Sequence, residues 1–311
     1  MEIRDFLRFA IESLNNADIE TPELEAGVIL CHALKCNRAY LYSHDDRVLN
    51  QEEVELLNNM LNQRMDNVPL QYIIGETEFM GLPFIVSPDV LIPRHDTETL
   101  VEECIKKVSL LSKNTEKDIF MGYAESINIG MDQRKDLKNV KVLDMCTGSG
   151  CIAISIAHYC PESTVMACDV SKDALKIAAL NCERNEVQNR VELHCGNLFD
   201  AIDGGQQFNL IVSNPPYIES DVIPELQIEV RNYEPCLALD GGRDGLDFYR
   251  EIIAKAPAYL TDGGYILFEI GYNQGESVKE LMNEFFCDIN VLKDISTNDR
   301  AIVGRYLKNK Y

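Results

Sequence analysis

The sequence predicts an α/β protein in which a small helical bundle precedes a parallel sheet with helices on both faces. From about residue 140 onwards, short apolar runs alternate with amphipathic helical patterns, which is typical of a parallel sheet. Residues 1–72 contain helical patterns alone. A glycine-rich turn follows the first apolar run, at the point where such a sheet passes into its first helix.

Residues 1–72 are predicted to form the helical bundle. Apolar residues recur at helical spacing in three segments, Phe6–Leu14, Leu24–Leu30 and Val54–Met65. Thr21 precedes Pro22 and is expected to cap the second helix. The bundle has no cluster of titratable side chains, so we interpret it as a folding or partner-docking unit rather than a chemical one.

A β-hairpin at residues 73–90 is predicted to link the bundle to the second domain. Tyr72–Gly75 and Phe84–Val86 are short apolar runs on either side of a turn at Met80–Pro83. The second domain then comprises residues 91–311.

Within the second domain, the first helix is expected to begin after a cap at Asp96. Residues 112–139 are polar and of mixed charge, which predicts a surface insert. Seven strands are predicted after it, the last two at an edge of the sheet. Their ranges are Val140–Met145, Thr164–Asp169, Val191–His194, Phe208–Ser213, Tyr265–Ile270, Ile289–Leu292 and Arg300–Tyr306.

Composition narrows the class of protein. A net charge of −22 disfavours direct binding to nucleic acid, because that affinity depends on Lys and Arg neutralising phosphates. No apolar run approaches the roughly 20 residues that cross a bilayer, and the N-terminus lacks a signal-peptide core, so we expect a cytoplasmic protein. The 11 cysteines are scattered, without metal-ligand spacing, so neither a metal site nor a disulfide is expected.

The turn after the first strand is predicted to bind a nucleotide-like cofactor. It consists of Cys146, Thr147, Gly148, Ser149 and Gly150, and its glycines let the backbone approach a ligand at a helix N-terminus. Asp169 ends the second strand, where a carboxylate can accept hydrogen bonds from both hydroxyls of a ribose.

An adenosyl ligand at the carboxyl edge of the predicted sheet is expected to be flanked by Asp144, Asn197 and Leu198. For Asp144 there is an alternative interpretation, in which its side chain caps the turn. The pattern fits either NAD or S-adenosylmethionine.

The fourth strand ends in Asn214-Pro215-Pro216-Tyr217. Neither proline can donate to the sheet, so the chain leaves it there as a stiff corner. The corner presents one carboxamide, free carbonyls and one aromatic face, which suits a planar amide or amine held by its N–H groups. Hydride transfer needs a proton donor near the substrate carbonyl, and none is evident at this edge. Methyl transfer is therefore favoured over NAD-dependent redox chemistry.

Together these motifs resemble the class I S-adenosylmethionine-dependent methyltransferases, and within them the PrmC/HemK family of peptide chain release factor glutamine N5-methyltransferases. The resemblance covers nearly the whole chain. It includes the further segments Pro69–Gly75, Leu91–Glu98, Gly241–Leu246 and Asn298–Arg300. The family usually has glycine at the position of Cys146 and proline at that of His95. The φ angle of Cys146 is therefore expected to suit a side chain.

The resemblance implies a Rossmann-like sheet and an enzyme that methylates the glutamine of the Gly-Gly-Gln motif in release factors. S-adenosyl-L-methionine would be the methyl donor and S-adenosyl-L-homocysteine the product. Separately from the resemblance, we expect a monomer. Asp169 would hold the ribose and Leu198 would lie beside the adenine. The cofactor would be bound by Cys146, Thr147, Gly148, Ser149, Gly150, Asp169, Asn197, Leu198 and Asn214. The glutamine would be held by Asn214, Pro215, Pro216 and Tyr217.

Three alternatives stay open at this point. A glutamine methyltransferase of a ribosomal protein would use the same chemistry on another partner. A DNA adenine N6-methyltransferase shares the Asn-Pro-Pro-Tyr tetrapeptide, but it would need a basic recognition region, which is not evident. A cofactor-binding module could also dock a partner without catalysing a reaction.

Overall fold

The computed structural model describes residues 1–113 and 138–308 of the chain. Most of the surface insert predicted at residues 112–139 lies outside these ranges. Within them, every helix is too short or too polar to cross a bilayer.

The chain divides into two compact units. The first comprises Met1–Glu76 together with Leu226–Tyr233, and the second comprises Thr77–Glu225 and Glu234–Tyr311. The domains predicted from the sequence did not join Leu226–Tyr233 to the N-terminal bundle.

Helices and strands alternate through most of the second unit, whereas the first is helical. The helices are α1 Ile3–Asn16, α2 Pro22–Ala33, α3 Arg38–Ser43, α4 Gln51–Met65, α5 Leu70–Ile74, α6 Glu98–Ser112, α7 Cys151–Tyr159, α8 Lys172–Arg184, α9 Ile228–Tyr233, α10 Asp247–Lys255 and α11 Gly275–Met282. The strands are β1 Glu76–Phe79, β2 Leu82–Ile85, β3 Val140–Met145, β4 Ser163–Asp169, β5 Val191–Cys195, β6 Phe208–Ser213, β7 Leu260–Glu269, β8 Phe286–Lys293 and β9 Asp299–Tyr306.

The core of the first unit is formed by apolar residues of α1, α2 and α4. Phe6, Ala10 and Leu14 are fully buried along one face of α1, at the predicted helical spacing. Helix α2 begins at Pro22 with Thr21 at the N-cap position, as predicted. The side chain of Thr21 makes no capping hydrogen bond, however.

Residues 72–74 belong to helix α5, so the strand predicted there is wrong. The helix ends at Gly75, whose φ of 81° is left-handed and whose N–H donates to the Gln71 carbonyl at 2.7 Å. A glycine in this conformation closes a helix by satisfying one of its last carbonyls. Ile73 and Ile74 are β-branched and favour strands by propensity, but they pack against the bundle core, and packing overrides propensity.

The predicted hairpin is present as β1 and β2. Met80 and Gly81 join the strands with φ angles of 52° and 70°, as in the two-residue turns whose twist matches that of the strands. Asn181 of α8 holds β2, since its Oδ1 accepts the Ile85 N–H at 2.6 Å and its Nδ2 donates to the Ile85 carbonyl at 3.0 Å. The same Nδ2 donates to the Ser149 carbonyl at 2.9 Å. One buried asparagine thus links the hairpin to the glycine-rich turn.

The start of helix α6 differs from the prediction. A short 3-10 turn at His95–Thr97 precedes Glu98, and Asp96 lies inside that turn rather than at a cap. The Asp96 carboxylate pairs instead with the Arg300 guanidinium at 3.1 Å. A charged partner binds a carboxylate more strongly than a neutral N–H does, which favours the ion pair over the cap.

The second unit is built on a seven-stranded sheet in the order β5-β4-β3-β6-β7-β9-β8. The first five strands in this order, β5, β4, β3, β6 and β7, are parallel to one another. Strand β9 is antiparallel to β7, and β8 is antiparallel to β9. All seven predicted strands are present, although β7 begins at Leu260 rather than Tyr265. The order reverses at β3, and open α/β sheets bind ligands at such a switch point, outside the carboxyl ends of the strands.

Both faces of the sheet are covered by helices. Consecutive residues of β3, Val142 and Leu143, are fully buried in two separate apolar cores. One core contains residues of α6 and α7, and the other contains residues of α10 and α11. Burial on both faces is expected for parallel strands. The predicted fold class is confirmed.

A buried ion-pair cluster holds α9 in the first unit. The side chain of Arg64 is only 4% exposed and pairs with Glu25 and Glu229. Tyr233 donates its hydroxyl to the Asp66 carbonyl at 2.6 Å. A charge at this depth needs such partners, because burying it unpaired is costly. Residues 226–233 are thereby tied to the N-terminal helices.

Replacing Arg64 with leucine is expected to destabilise the first unit, because Glu25 and Glu229 would lose their shared partner. Breaking a buried ion pair costs about 3 kcal/mol, so the thermal unfolding temperature should fall and residues 226–233 should exchange their amide hydrogens faster. Arg4→Leu is the control, since Arg4 pairs with Glu2 at the surface, where ion pairs contribute little. Equal exchange of residues 226–233 in both variants would contradict this assignment.

Candidate active site

The turn between β3 and α7 is built on left-handed residues. Cys146, Gly148 and Gly150 have φ angles of 59°, 55° and 82°. The Gly150 N–H donates to the Thr147 carbonyl at 2.8 Å, which closes the turn at the start of α7. Glycine adopts this conformation at little cost, which explains two of the three positions.

Cys146 is the third, and the expectation that its φ suits a side chain is wrong. A left-handed conformation costs a non-glycine residue about 1–2 kcal/mol. Strain of this kind persists where the surrounding packing fixes it, and it is common at functional sites. The Cys146 side chain is half-buried against an apolar core, and this burial raises the pKa of its thiol.

Asp144 lies beneath the turn and supports it, so the expectation that it flanks a ligand is wrong. It is fully buried, and its Oδ2 accepts the Thr147 hydroxyl at 2.5 Å and the Ala153 N–H at 3.2 Å. These bonds join the end of β3 to the turn and to the first residues of α7. Burial raises the pKa of Asp144 to about 7. The alternative interpretation, a cap of the turn, is the one that the structure supports.

The raised pKa of Asp144 predicts a pH-dependent stability. The folded chain holds this proton more tightly than the unfolded chain, with a pKa of about 7 against 3.8. The contribution of Asp144 is therefore largest below pH 4 and is lost as the pH rises to 7, by about 4 kcal/mol at most. In denaturant unfolding at several pH values, the stability of the wild type relative to D144N should fall over this interval. A constant difference between the two proteins would contradict the assignment.

Asp169 is held at the end of β4 by the backbone of two neighbouring segments. Its Oδ2 accepts the Gly148 N–H at 2.8 Å, and its Oδ1 accepts the Ser171 N–H at 2.9 Å. A Cβ added to Gly148 would meet no atom within 4 Å, so the turn presents bare backbone to open space. A fixed carboxylate beside bare backbone is the arrangement that binds a ribose and the groups attached to it.

One cavity at the carboxyl edge of the sheet contains most of the predicted site residues. Those that line it are Cys146, Thr147, Gly148, Ser149, Asp169, Asn197, Leu198, Asn214 and Pro216. Gly150, Pro215 and Tyr217 do not line it. Gly150 lies beneath the turn, where an added Cβ would come within 3.0 Å of Ile154 and 3.2 Å of Ala178. Gly150 therefore shapes the turn.

The corner that begins at Asn214 reaches this cavity because β6 is next to β3. Ser213 is aligned with Met145 in the two strands, and its hydroxyl donates to the Met145 carbonyl at 2.7 Å. The residue that follows each strand, Cys146 after β3 and Asn214 after β6, lines the cavity. Tyr217 turns away from it and donates its hydroxyl to Glu269 at 3.2 Å.

The loop after β5 supplies one apolar part of the wall. Leu198 is 5% exposed and has a φ of 46°, a second strained non-glycine residue at this edge. The loop passes tightly there, since a Cβ added to Gly196 would lie 2.8 Å from Ala201. A buried leucine near a fixed carboxylate suits a ligand with a flat apolar base and a polar sugar.

Part of the wall was missed by sequence reasoning. It comes from the segment before α6 and from residues that follow α9, namely Asp89, Val90, Leu91, Pro93, Arg94, Thr97, Pro235, Leu237, Ala238 and Phe248. One of these segments could have been found from the sequence, because Leu91–Glu98 resembles the family. No function in the site was predicted for it, however. Arg94 pairs with the buried carboxylate of Glu234.

The strand order and the glycine turn with its acidic neighbour define a class I methyltransferase. Two family models match, the PrmC N-terminal domain at residues 5–75 and the methyltransferase small domain at residues 131–228. A release factor glutamine methyltransferase of Geobacter sulfurreducens is 40% identical over 97% of this chain and 96% of its own length. Another release factor glutamine methyltransferase, of Clostridium acetobutylicum, is 35% identical over 98% of this chain and 98% of its own length. The chain belongs to the release factor glutamine methyltransferase family, as its motifs predicted.

The wall of the cavity fits S-adenosyl-L-methionine, the cofactor of this enzyme class. The bare backbone at Gly148 leaves room for a ligand, Asp169 provides carboxylate oxygens for ribose hydroxyls, and Leu198 provides an apolar surface for adenine. An acid at this position would repel a ribose 2′-phosphate.

Proposed function

We propose that this protein transfers a methyl group from S-adenosyl-L-methionine to the side-chain amide nitrogen, N5, of a glutamine in peptide chain release factors. The main support is that Asn214 and Pro216 line the same cavity as the glycine turn and Asp169. The two relatives from Geobacter sulfurreducens and Clostridium acetobutylicum are named for this substrate. The proposed target is the glutamine of the Gly-Gly-Gln motif.

The chemistry requires a well-oriented amide. An amide nitrogen is a weak nucleophile, because its lone pair is delocalised into the carbonyl. When bound, S-adenosylmethionine supplies a methyl group on a cationic sulfonium. In our proposal the Asn214 side-chain oxygen and the Pro215 carbonyl accept the two N–H groups of the substrate amide, and Tyr217 holds the corner from outside the cavity. These acceptors would orient the nitrogen and stabilise the positive charge that develops on it as the C–N bond forms and the carbon–sulfur bond breaks. The nitrogen would then release one of its protons to water, which leaves a neutral N-methyl amide and S-adenosylhomocysteine.

The division of labour along the chain is also a proposal. Residues 1–72 would dock the release factor, residues 73–90 would link the domains, and residues 91–311 would carry the reaction. We propose a monomer that acts in the cytoplasm and does not bind nucleic acid directly. The net charge of −22 supports the last point, since it opposes association with phosphate backbones.

The test is a transfer assay with labelled S-adenosylmethionine and three separate acceptors: a purified release factor, ribosomal proteins and DNA. We expect label on the release factor, and mass spectrometry should locate one added CH₂ on the glutamine of the Gly-Gly-Gln motif. A release factor with glutamate at that position is the matched control. Label on ribosomal protein or DNA alone would contradict the proposed substrate. Cofactor binding without transfer to any acceptor would instead support a non-catalytic docking module.

A further inference from the structure

The corner formed by Asn214–Tyr217 is held at its far end by two buried polar side chains outside the cavity. Tyr217 donates its hydroxyl to Glu269 Oε1 at 3.2 Å. Gln274 donates from Nε2 to the main-chain carbonyl of Tyr217 at 3.0 Å. Glu269 is 2% exposed and Gln274 is 8% exposed. Tyr217 is therefore fixed through its side chain and its backbone at once.

The sheet register brings Glu269 to the corner. Glu269 is the last residue of β7, and the residue before it, Phe268, is aligned with Ser213 of β6. Glu269 and Asn214 therefore leave the sheet side by side. The main-chain carbonyl of Glu269 accepts the Tyr249 hydroxyl at 2.8 Å, a contact that does not involve the carboxylate bound by Tyr217. Burial raises the pKa of the Glu269 carboxyl. The side-chain hydrogen bonds that Glu269 accepts and the positive charge of Arg300 offset part of this rise.

Gln274 has a defined orientation. Its Oε1 accepts the Gly271 N–H at 2.9 Å, which directs the amino group towards two carbonyls. These are the carbonyls of Tyr217 and Gly245, at 3.0 and 3.3 Å. Because the two ends of an amide differ as donor and acceptor, a glutamate at this position could not make the same set of contacts.

Residues 241–245 pack against the corner so closely that side chains do not fit. A Cβ added to Gly241 would lie 2.7 Å from the Cα of Tyr217 and 2.9 Å from the Pro216 carbonyl oxygen. A Cβ added to Gly245 would collide with the Tyr217 carbonyl and lie 2.7 Å from Gln274 Nε2. These glycines belong to a segment that resembles the family, and their backbone supports the corner from behind.

We propose that Glu269 and Gln274 are positioning residues that hold the Asn214 carboxamide in its reactive orientation by fixing Tyr217. The inference rests on the proposed function in so far as that carboxamide binds the substrate amide. The near end of the corner is tied to β3 through Ser213, and the two prolines restrict the backbone in between. The Asn214 side chain is therefore already oriented before the substrate binds. Substrate binding then carries no entropic cost of ordering that side chain, as in other preorganised sites.

Two tyrosines provide a matched test. Tyr217 and Tyr249 each donate a buried hydroxyl to Glu269, but only Tyr217 belongs to the corner. We expect Y217F to lower kcat about tenfold or more and to leave the KM and the cofactor affinity unchanged. Y249F should keep kcat close to that of the wild type, even if it melts at a lower temperature. An equal loss of kcat in the two variants would overturn the proposal.

Substitutions of Glu269 provide the second arm. E269L removes the acceptor and should behave like Y217F, whereas E269Q keeps an acceptor oxygen and should recover most of kcat. Indistinguishable kcat values for E269L and E269Q would count against a positioning role.

Hydrogen–deuterium exchange at the Asn214 and Tyr217 amides tests the same contacts without catalysis. These amides should exchange faster in Y217F than in the wild type and in Y249F. If the wild type methylates none of the acceptors, the proposed function fails, but this comparison still decides whether the corner is held through Tyr217. Equal exchange in all three proteins would refute the positioning role.

Discussion

Replacing Asn214 with alanine is expected to lower the rate of methyl transfer to the release factor about a hundredfold or more. The substitution removes the acceptor that orients the substrate amide, and loss of one preorganised polar group commonly costs 10²–10³ in rate, to order of magnitude (about 3–4 kcal/mol). Affinity for S-adenosylhomocysteine should fall much less than the rate, because Asp169 and the glycine turn remain. Single-turnover transfer and calorimetry measure the two quantities separately.

Asn290→Ala is the control for this variant. Asn290 lies on the edge strand β8 and is exposed, and its side chain donates to the nearby Asp288 carbonyl at 3.0 Å. Its replacement should leave transfer unchanged. Near-normal turnover by the Asn214 variant would refute the function assigned to its carboxamide.

Replacing Asp169 with alanine is expected to weaken cofactor binding at least about a hundredfold. Hydrogen bonds to a charged acceptor contribute about 1.5–3 kcal/mol each, and two ribose hydroxyls would lose theirs. The turn would also lose the anchor of its Gly148 N–H. Calorimetric titration with S-adenosylhomocysteine measures the affinity.

Asp173→Ala is the matched control for Asp169. Asp173 is an exposed acid near the start of α8 that pairs with Lys176 at 2.6 Å, outside the cavity. Like Asp169→Ala, the Asp173→Ala substitution removes one negative charge from the protein. It should nevertheless leave the affinity for S-adenosylhomocysteine unchanged. Unaltered affinity in the Asp169 variant would exclude that carboxylate from ribose binding.

The strands of the large sheet could be predicted because each carries its signal within a few residues. Buried parallel strands are continuous apolar runs, and β3 and β6 have the predicted limits. The start of β7 could not be predicted, since Thr261, Asp262, Gly263 and Gly264 do not form an apolar run. They lie where the register between β6 and β7 shifts, between the pairs Phe208–Leu260 and Leu210–Tyr265, and local sequence does not encode such an irregularity.

Contacts between residues distant in the chain could not be predicted from local patterns. Asp96 has the residue type and position of a helix cap, but it pairs with Arg300. Glu229 was assigned to the second domain, yet its carboxylate binds Arg64, 165 positions away. Local patterns contain no information about such pairs, so ion pairs and domain membership of short segments were the least predictable features.

The candidate site could be predicted where rare residue types occur at strand ends. The glycine turn after β3, Asp169 after β4 and the Asn214 corner after β6 all follow this rule, and the parallel sheet brings them to one edge. The positions of Tyr217 and Gly150 outside the cavity depend on packing beneath the surface. Residue type alone does not reveal which side of a loop faces a ligand.

A crystal structure of the protein with S-adenosylhomocysteine and a release factor would measure the arrangement that methyl transfer requires. We expect the sulfur of the cofactor product to lie beside the glycine turn. The glutamine amide nitrogen should face it, within hydrogen-bond distance of Asn214 Oδ1 and the Pro215 carbonyl. A glutamine side chain bound elsewhere, or an amide nitrogen turned away from the sulfur, would contradict the account.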